Sequence, residues 1–193
     1  MQSINQMLSK DYQNGDYQII SDTEAHFPKR GVTIKGEYFD RVNGGEWHRT
    51  QNLITNEGIA LILNVALGKT PKPAAYYIAL FSGQAQPQNT WTAANFASAA
   101  SEIVSTSEGY EGATRPEWTS ANTNGNTINN MAAAAKLTIR TAGQLNVTGV
   151  ALLTNSQKGG TSGTLVSATK YAAPRVFQDG DIYEIGYNIS LTV

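Results

Sequence analysis

The sequence contains no cysteine, so disulfides and metal sites built on thiolates are both excluded. That absence fits folding in a reducing cytoplasm. Basic residues are not in excess either, because 14 lysines and arginines stand against 15 acidic residues and no basic run occurs. Nucleic acids and anionic membranes select proteins with a basic excess, so this balance argues against both as partners.

Long apolar runs are also missing. The amino terminus lacks the apolar core of a signal peptide, and no run approaches the roughly 18 residues of a membrane span. We therefore expect a soluble protein. Charged residues make up only 15% of the chain, against about 25% in ordinary soluble domains. A surface so poor in charge suits a protein that packs against neighbouring subunits.

Residues suited to catalysis or ion binding are few. His26 and His48 are the two histidines, and neither has a serine or carboxylate at an active-site spacing. Asp179 and Asp181 flank Gly180, but a β-turn before a strand explains this pattern better than a calcium loop. In NSQKGGTSGTL the lysine precedes the glycines, which predicts a hairpin loop rather than a phosphate site.

The most enzyme-like cluster lies in the stretch SEGYEGATRPEWTS. Glycosidases need two carboxylates across a cleft lined by aromatic rings, and this stretch contains Glu108, Tyr110, Glu111, Arg115, Glu117 and Trp118. Its proline and glycines predict a loop, and an arginine among carboxylates more often forms an ion pair. We expect an ordered loop or a subunit contact here, with no catalytic residue, cofactor or metal.

Alternating apolar residues dominate the carboxy-terminal half. Every second residue from Tyr183 to Val193 is apolar, which predicts a long strand from Ile182 onward that lies centrally in a sheet. Further strands are predicted in AAYYIALFSG, AAKLTIRTAG, LNVTGVALLTN, GTLVSATKY and PRVFQDG, each bounded by turn residues. This spacing predicts a mainly β protein built as a β-sandwich.

One short α-helix is predicted in TNEGIALILNVALGKTPKP. Thr55 suits an N-cap, Glu57 lies in the first turn, and Gly68 ends the helix before two prolines. Residues 84–130, rich in Ala, Ser, Thr, Asn and Gly, are predicted mostly as loop with weak strands.

Residues 1–51 differ in character from the rest and are predicted to form an amino-terminal arm, with the sandwich domain in residues 52–193. No amphipathic helix of useful length is visible in the arm, but a hairpin is predicted, with its turn at Asn43–Gly45. An isolated ribbon is marginal in water, so the hairpin lies either on a neighbouring subunit or on the domain's own sheet. The residues predicted to contact partners, in the arm and the later loop, are Tyr17, Ile19, Ile20, Phe27, Tyr38, Phe39, Trp47, Tyr110, Arg115 and Trp118.

Several segments taken together resemble a family of tailed-bacteriophage virion proteins. They are NLITNEGIALILNVALG, YYIALFSG, EGYEGATRPEW and the block from AAKLTIRTAG to the carboxyl end, so the similarity covers about Asn52 to Val193. The resemblance implies a β-sandwich or jelly-roll-like module that serves short-tailed phages as a capsid cement or decoration protein. Residues 1–51 depart from the family pattern.

The resemblance further implies a non-enzymatic virion protein on the capsid surface, made in the cytoplasm of the host bacterium. Its expected partners are the major capsid protein, whose neighbouring subunits it would bridge, and its own copies in a homotrimer. No nucleic acid, membrane, small-molecule substrate or cofactor is expected. The alternatives are a tail or head-tail module that binds a receptor or carbohydrate through Trp91, Tyr110 and Trp118, and an enzyme built on the glutamate cluster.

Overall fold

The computed structural model describes residues 4–21, 24–27, 32–123 and 125–192, with only the backbone described for residues 4–8, 21, 24, 25, 27 and 32. In these ranges the chain forms two antiparallel β-sheets, three α-helices and a 3-10 helix at Met131–Ala133. The α-helices are α1 Ile4–Gln13, α2 Asn56–Ala66 and α3 Ala93–Ala100. The strands are β1 Gln18–Ser21, β2 Glu24–Phe27, β3 Val32–Val42, β4 His48–Gln51, β5 Leu53–Ile54, β6 Tyr77–Phe81, β7 Gly109–Tyr110, β8 Thr127–Asn129, β9 Ala135–Arg140, β10 Leu145–Leu153, β11 Leu165–Phe177 and β12 Ile182–Thr192.

The larger sheet is organised around the last strand. Its order is β1-β2-β3-β12-β9-β7, while β4 pairs with β3 and β8 pairs with β12. The β3–β12 register runs without interruption from Val42 opposite Tyr183 to Thr33 opposite Thr192. On its other side β12 pairs first with β9 and then with β8. The central position predicted for the last strand is confirmed.

The smaller sheet has the order β5-β11-β10-β6. Its strand β11 covers both GTLVSATKY and PRVFQDG, which the sequence predicted as separate strands. Val147 lies opposite Arg175 and Gly149 opposite Lys170, so the residues between Lys170 and Arg175 form a large bulge. Pro174 lies in this bulge, where a residue without an N–H costs no ladder hydrogen bond. The proline signal therefore marked a bulge inside one strand rather than a boundary between two.

The two sheets face each other across the main hydrophobic core. Tyr38 and Tyr183 from the larger sheet and Leu80 and Val150 from the smaller sheet are fully buried in this cluster. A second cluster on the smaller sheet joins Phe81 and Leu153 to α3, and a third joins α2 to β3 and β5. Full burial of one large apolar side chain contributes roughly 1.5–3 kcal/mol. The mainly β, sandwich-type fold predicted from the sequence is confirmed.

Helix α2 forms as predicted, and its first turn links three elements. The Thr55 hydroxyl accepts a hydrogen bond from the Gly58 N–H, which caps the helix. The Glu57 carboxylate accepts the Ala93 N–H at 2.9 Å and the Leu165 N–H at 2.6 Å. Glu57 therefore joins α2 to the start of α3 and to the start of β11.

Two helices were not predicted from the sequence. In α3 the buried face consists of Ala93, Phe96 and Ala100. Because two of these three residues are alanines, the apolar periodicity is weak, and the sequence resembles that of a loop rich in small residues. The Asn95 side chain accepts the Thr92 N–H at 2.9 Å and closes the first turn. In the arm, α1 contacts α2, and Tyr12 packs against the cluster between α2 and β3. The expectation that residues 1–51 lack a helix is wrong.

The predicted hairpin forms and belongs to the larger sheet. Strands β3 and β4 pair across a turn in which Asn43 and Gly44 have φ of 51° and 71°, the left-handed region that such turns require. Because β3 also pairs along its length with β12, the hairpin adds to the chain's own sheet, which is one of the two placements the sequence left open. Strands from residues 1–51 and from residues 52–193 therefore belong to one sheet.

Candidate functional site

Strands β1 and β2 form a two-stranded ribbon at one side of the larger sheet, which we call the edge ribbon. Ile19 and Ile20 of β1 are 36% and 54% exposed. Strand β1 ends the sheet, so its outer edge has no partner strand within the described residues. Tyr17, just before it, stacks on Tyr12 with ring centroids 5.4 Å apart. Exposed isoleucines on an unpaired strand edge are typical of an association surface.

An apolar cavity of about 500 Å³ opens between α2 and the end of β12. We call it the α2 cavity. Its walls include Ile62 and Val65 of α2 and Ile189 and Leu191 of β12, and Leu191 is 46% exposed. Lys72 lies at its lining on the segment that follows the helix. The volume is within the range of roughly 300–1,000 Å³ that ligand-binding pockets span.

The edge ribbon and the α2 cavity share one face of the larger sheet. Ile19 lies opposite Ala25, Ala25 opposite Ile34, and Ile34 opposite Leu191. Residues directly opposite each other in antiparallel strands project from the same face. Since Ile34 and Leu191 line the cavity, this row of residues connects the exposed Ile19 to the cavity across four strands.

Four residues predicted as partner contacts are buried instead. Tyr38, Tyr110 and Arg115 are at most 1% exposed and Trp118 is 6% exposed, so their side chains belong to the core. The Tyr38 hydroxyl lies 2.8 Å from the Ser167 hydroxyl on the facing sheet. The aromatic side chains of these residues are therefore buried within the chain and are not available to contact a partner.

The indole of Trp118 is enclosed by other rings. It meets Tyr76 and Tyr187 edge-on at 5.8 and 5.9 Å, and its N–H donates to the Tyr187 carbonyl. Trp91 is likewise 6% exposed. The predicted stacking platform of Trp91, Tyr110 and Trp118 is therefore not presented at the surface.

Three further predicted contact residues have different positions. Phe39 and Trp47 are half-buried, and the Arg41 guanidinium lies 4.4 Å from the centroid of the Trp47 ring. The backbone of Phe27 pairs with Val32, while its side chain lies outside the described residues.

Arg115 forms a buried ion pair with Glu102. Its Nε and Nη2 atoms donate to the two carboxylate oxygens at 2.7 and 2.8 Å, and both side chains are fully buried. Arg115 also donates to the Asn155 carbonyl, and Glu102 accepts the Gly159 N–H. The pair therefore fixes the loop between β10 and β11. The sequence predicted an ion pair for Arg115 but not this partner, which lies 13 residues earlier.

Two of the three glutamates in the predicted cluster, Glu108 and Glu111, line one open cleft with Arg140 and Asp179, whereas Glu117 does not. Glu108 accepts the Ala142 N–H and the Thr141 hydroxyl, and these bonds, the backbone one foremost, lower the pKa of its carboxyl. Glu111 pairs with Arg140, whose pKa is raised chiefly by that hydrogen bond. Glu117 is exposed on another segment. The segment is a loop apart from the short strand β7, and the alternative of a subunit contact stays a prediction.

The segment around Gly180 is a turn, as predicted. Gly180 has φ of 82°, and Asp181 accepts the Gln178 N–H at 2.7 Å. Asp179 accepts the Thr141 N–H, so the two aspartates that flank Gly180 have different hydrogen-bond partners. Among the described residues, no group of three or more histidine or acidic side chains is arranged to hold a metal ion. His48 is exposed on β4 and His26 half-buried on β2.

Lys158, in the predicted hairpin loop, contacts Tyr110. Its ammonium lies 3.5 Å from the ring centroid and donates to the Tyr110 carbonyl at 2.9 Å. Partial burial lowers the pKa of Lys158 to about 8, with Glu102 acting in the opposite direction. Burial has the opposite effect on the Tyr110 phenol and raises its pKa. The phenol oxygen has no hydrogen-bond partner in the described structure.

A polar network crosses the core between the sheets. The Tyr171 and Tyr183 hydroxyls lie 2.7 Å apart, and Arg175 donates to both oxygens of the fully buried Asp40. Burial raises the pKa of both tyrosines, and it raises that of Tyr187 to about 12. The Tyr171–Tyr183 and Arg175–Asp40 hydrogen bonds join a strand of the smaller sheet to strands of the larger sheet, so they hold the two sheets in register.

Neither the protein-family models nor the curated proteins contain a match to this chain. None of the helices in the described residues has the length and apolar character needed to cross a membrane. The sequence singled out Ile19 and Ile20 but missed the cavity, although α2 is apolar around more of its circumference than one core face requires.

Proposed function

We propose that this chain is a non-enzymatic structural protein of a bacteriophage virion. In this proposal it decorates the capsid surface and stabilises the shell by bridging neighbouring major capsid protein subunits. The observation that carries the proposal is the edge ribbon, which presents Ile19 and Ile20 to solvent on an unpaired strand edge. The resemblance of residues 52–193 to phage decoration proteins supplies the kind of partner.

The interior of the chain supports a role as a rigid module. The buried carboxylates of Asp40, Glu102 and Glu184 are each engaged by arginine or lysine within the chain. Such pairs hold the strands of the sandwich in place. Contacts with partners are then made by residues at its surface, such as those of the edge ribbon. A shell gains stability from many copies of a modest interface, so a small rigid module with one apolar ribbon suits decoration.

The alternative of a carbohydrate-binding tail module has less support. Sugar platforms need exposed aromatic faces, whereas Trp91, Tyr110 and Trp118 are buried. Copy number in the particle separates the two roles. A decoration protein is present in hundreds of copies, whereas a tail module is present in about a dozen or fewer.

Shell binding tests the proposal directly. The protein is mixed with shells assembled from the major capsid protein encoded in the same genome, and bound copies are counted after sedimentation. We expect near-stoichiometric binding and a raised temperature of shell rupture. Ile20→Asp should reduce binding, while Val104→Asp should not, because Val104 has a similar exposure of 50% but lies on a loop away from the edge ribbon. Absence of wild-type binding, or equal loss in both variants, would contradict the proposal.

A further inference from the structure

We propose that the dipeptide Asn14–Gly15 is a site of covalent self-modification by deamidation, which loosens α1 from α2, whereas the same dipeptide at Asn43–Gly44 is protected by β12. The reaction needs only the chain and water, so it is independent of the proposed capsid role.

Deamidation begins when the backbone nitrogen after an asparagine attacks the side-chain carbonyl carbon. Here the Gly15 nitrogen, after losing its proton to hydroxide, bonds to Cγ of Asn14. The Cγ–Nδ2 bond then breaks, and the leaving nitrogen takes a proton from water and departs as ammonia. Water opens the resulting cyclic imide to aspartate or isoaspartate, so one water is consumed for each ammonia released. Glycine favours the attack because no Cβ hinders the approach of its nitrogen.

Asn14 and Gly15 lie in the turn after α1, and both are exposed. A Cβ placed on Gly15 would meet no atom within 4 Å, so the space beside this residue is open. The Gly15 N–H donates to the Tyr12 carbonyl at 3.1 Å, a bond at a helix end, where local opening costs little free energy. The Asn14 side chain forms no hydrogen bond with the described residues, so its amide can turn toward the Gly15 nitrogen.

Asn43 and Gly44 are exposed as well, but the Asn43 amide is held at both of its polar atoms. Its Nδ2 donates to Oδ1 of Asp181 at 2.8 Å, and its Oδ1 accepts the Ile182 N–H at 2.8 Å. Both bonds must break before Cγ can reach the Gly44 nitrogen. Losing two hydrogen bonds, one of them to a carboxylate, should slow the reaction at least about tenfold.

Conversion changes the joint between α1 and the edge ribbon in two ways. It adds a carboxylate just after the last turn of α1, where the helix dipole disfavours a negative charge. Isoaspartate also adds one carbon to the main chain between Tyr12 and Tyr17, whose rings stack with centroids 5.4 Å apart. Because Tyr12 packs against the cluster between α2 and β3, displacing it loosens α1.

Ageing of the wild-type protein tests the site. The folded protein is incubated at mildly alkaline pH, its charge forms are separated by ion exchange, and their peptides are mapped by mass spectrometry. We expect a more acidic form, with conversion at Asn14 at least about tenfold faster than at Asn43. Asn14→Ser should abolish this form. In urea the two dipeptides should convert at similar rates, because unfolding removes the bonds to β12.

A pair of variants tests the protection of Asn43. Asp181→Ala removes the partner of the Asn43 amide nitrogen, so conversion at Asn43 should rise toward that at Asn14. The matched control is Asp179→Ala, because Asp179 bonds to Thr141 and Arg140 instead, and Asn43 should stay protected in it. Circular dichroism checks that both variants are folded, and the comparison of folded and urea-unfolded wild type does not depend on either.

Equal rates at the two dipeptides in the folded wild type, or no conversion at Asn14 when the unfolded chain converts there, overturns the proposal. The third such dipeptide begins at Asn124, outside the described residues, and its peptide is measured separately. In the isolated acidic form, amide hydrogen exchange in residues 9–13 should be faster than in the unconverted protein, with exchange in β12 unchanged. Equal exchange in residues 9–13 would overturn the loosening of α1. None of these measurements involves a capsid, so failure of shell binding would contradict the proposed function alone.

Discussion

At the scale of single residues, the buried pair of Arg115 and Glu102 is expected to be sensitive to substitution. Both side chains are fully buried, so Glu102→Gln leaves the arginine charge without its counterion. Removing one partner of a buried pair costs about 3–5 kcal/mol. We expect a loss of that size in the free energy of unfolding, measured by urea denaturation.

The matched control is Glu111→Gln, which breaks the pair with the partly exposed Arg140. Water and salt screen an exposed pair, so we expect little change in the midpoint of unfolding. Equal effects of the two substitutions would show that the burial of Arg115 does not determine its contribution.

Lys158 gives a prediction for pH. Partial burial lowers its pKa to about 8 in the folded protein, whereas an unfolded lysine titrates near 10.4. Between these values the unfolded state binds more protons, so stability rises with pH. We expect the unfolding free energy of the wild type, relative to Lys158→Met, to increase from pH 8 to about pH 10. A difference that stays flat or falls would contradict the lowered pKa.

Only part of this residue-level picture could be predicted from the sequence. The stretch around Arg115 indicated an ion pair, but the partner depends on how α3 and the β10–β11 loop fold over it. Likewise, the aromatic character of Tyr38 and Trp118 suggested contact surfaces, whereas the same property favours burial. Composition alone does not separate these two outcomes, because the neighbouring strand decides which face is covered.

At the scale of elements, the β3–β4 hairpin is integral to the fold. Deleting residues 1–51 removes β3, including the buried Ile34, Tyr38 and Asp40, and leaves Arg175 without its partner. We expect this variant to lose cooperative thermal melting. Deleting only residues 1–21 removes α1 and β1, so it should remain folded with a lower melting temperature. A cooperative transition after deletion of residues 1–51 would show that the hairpin is dispensable.

The sequence predicted strands better than helices, for a physical reason. Alternation over the long strands β10 and β12 reflects burial between two sheets, and α2 carries an N-cap and a broad apolar pattern. Helix α3 has a single large apolar side chain, Phe96, in eight residues. Its position depends on the surface of the smaller sheet beneath it, and that surface exists only after the distant strands have paired.

At the scale of the whole molecule, the fold is closed by pairing between its two ends. Strand β3 near the start and β12 at the end are neighbours along their full length. Such non-local pairing slows folding, because a long loop must close before any contact forms. The arrangement also places the edge ribbon and the end of β12 in one sheet, so the two come together only in the completed fold.

The last strand therefore decides whether the molecule folds at all. Ending the chain before Asp181 removes the fully buried Tyr183, Ile185 and Tyr187 and the strand that lies between β3 and β9 in the larger sheet. At roughly 1.5–3 kcal/mol for each buried aliphatic or aromatic side chain, the loss approaches the stability of about 5–15 kcal/mol typical of a domain. We expect this truncation to abolish a cooperative melt, as followed by circular dichroism. Removing only residues 191–193 is the control, because Leu191 is 46% exposed and the buried residues of β12 remain. It should leave the melting transition nearly intact. A cooperative melt in the longer truncation would show that β12 is peripheral to the fold.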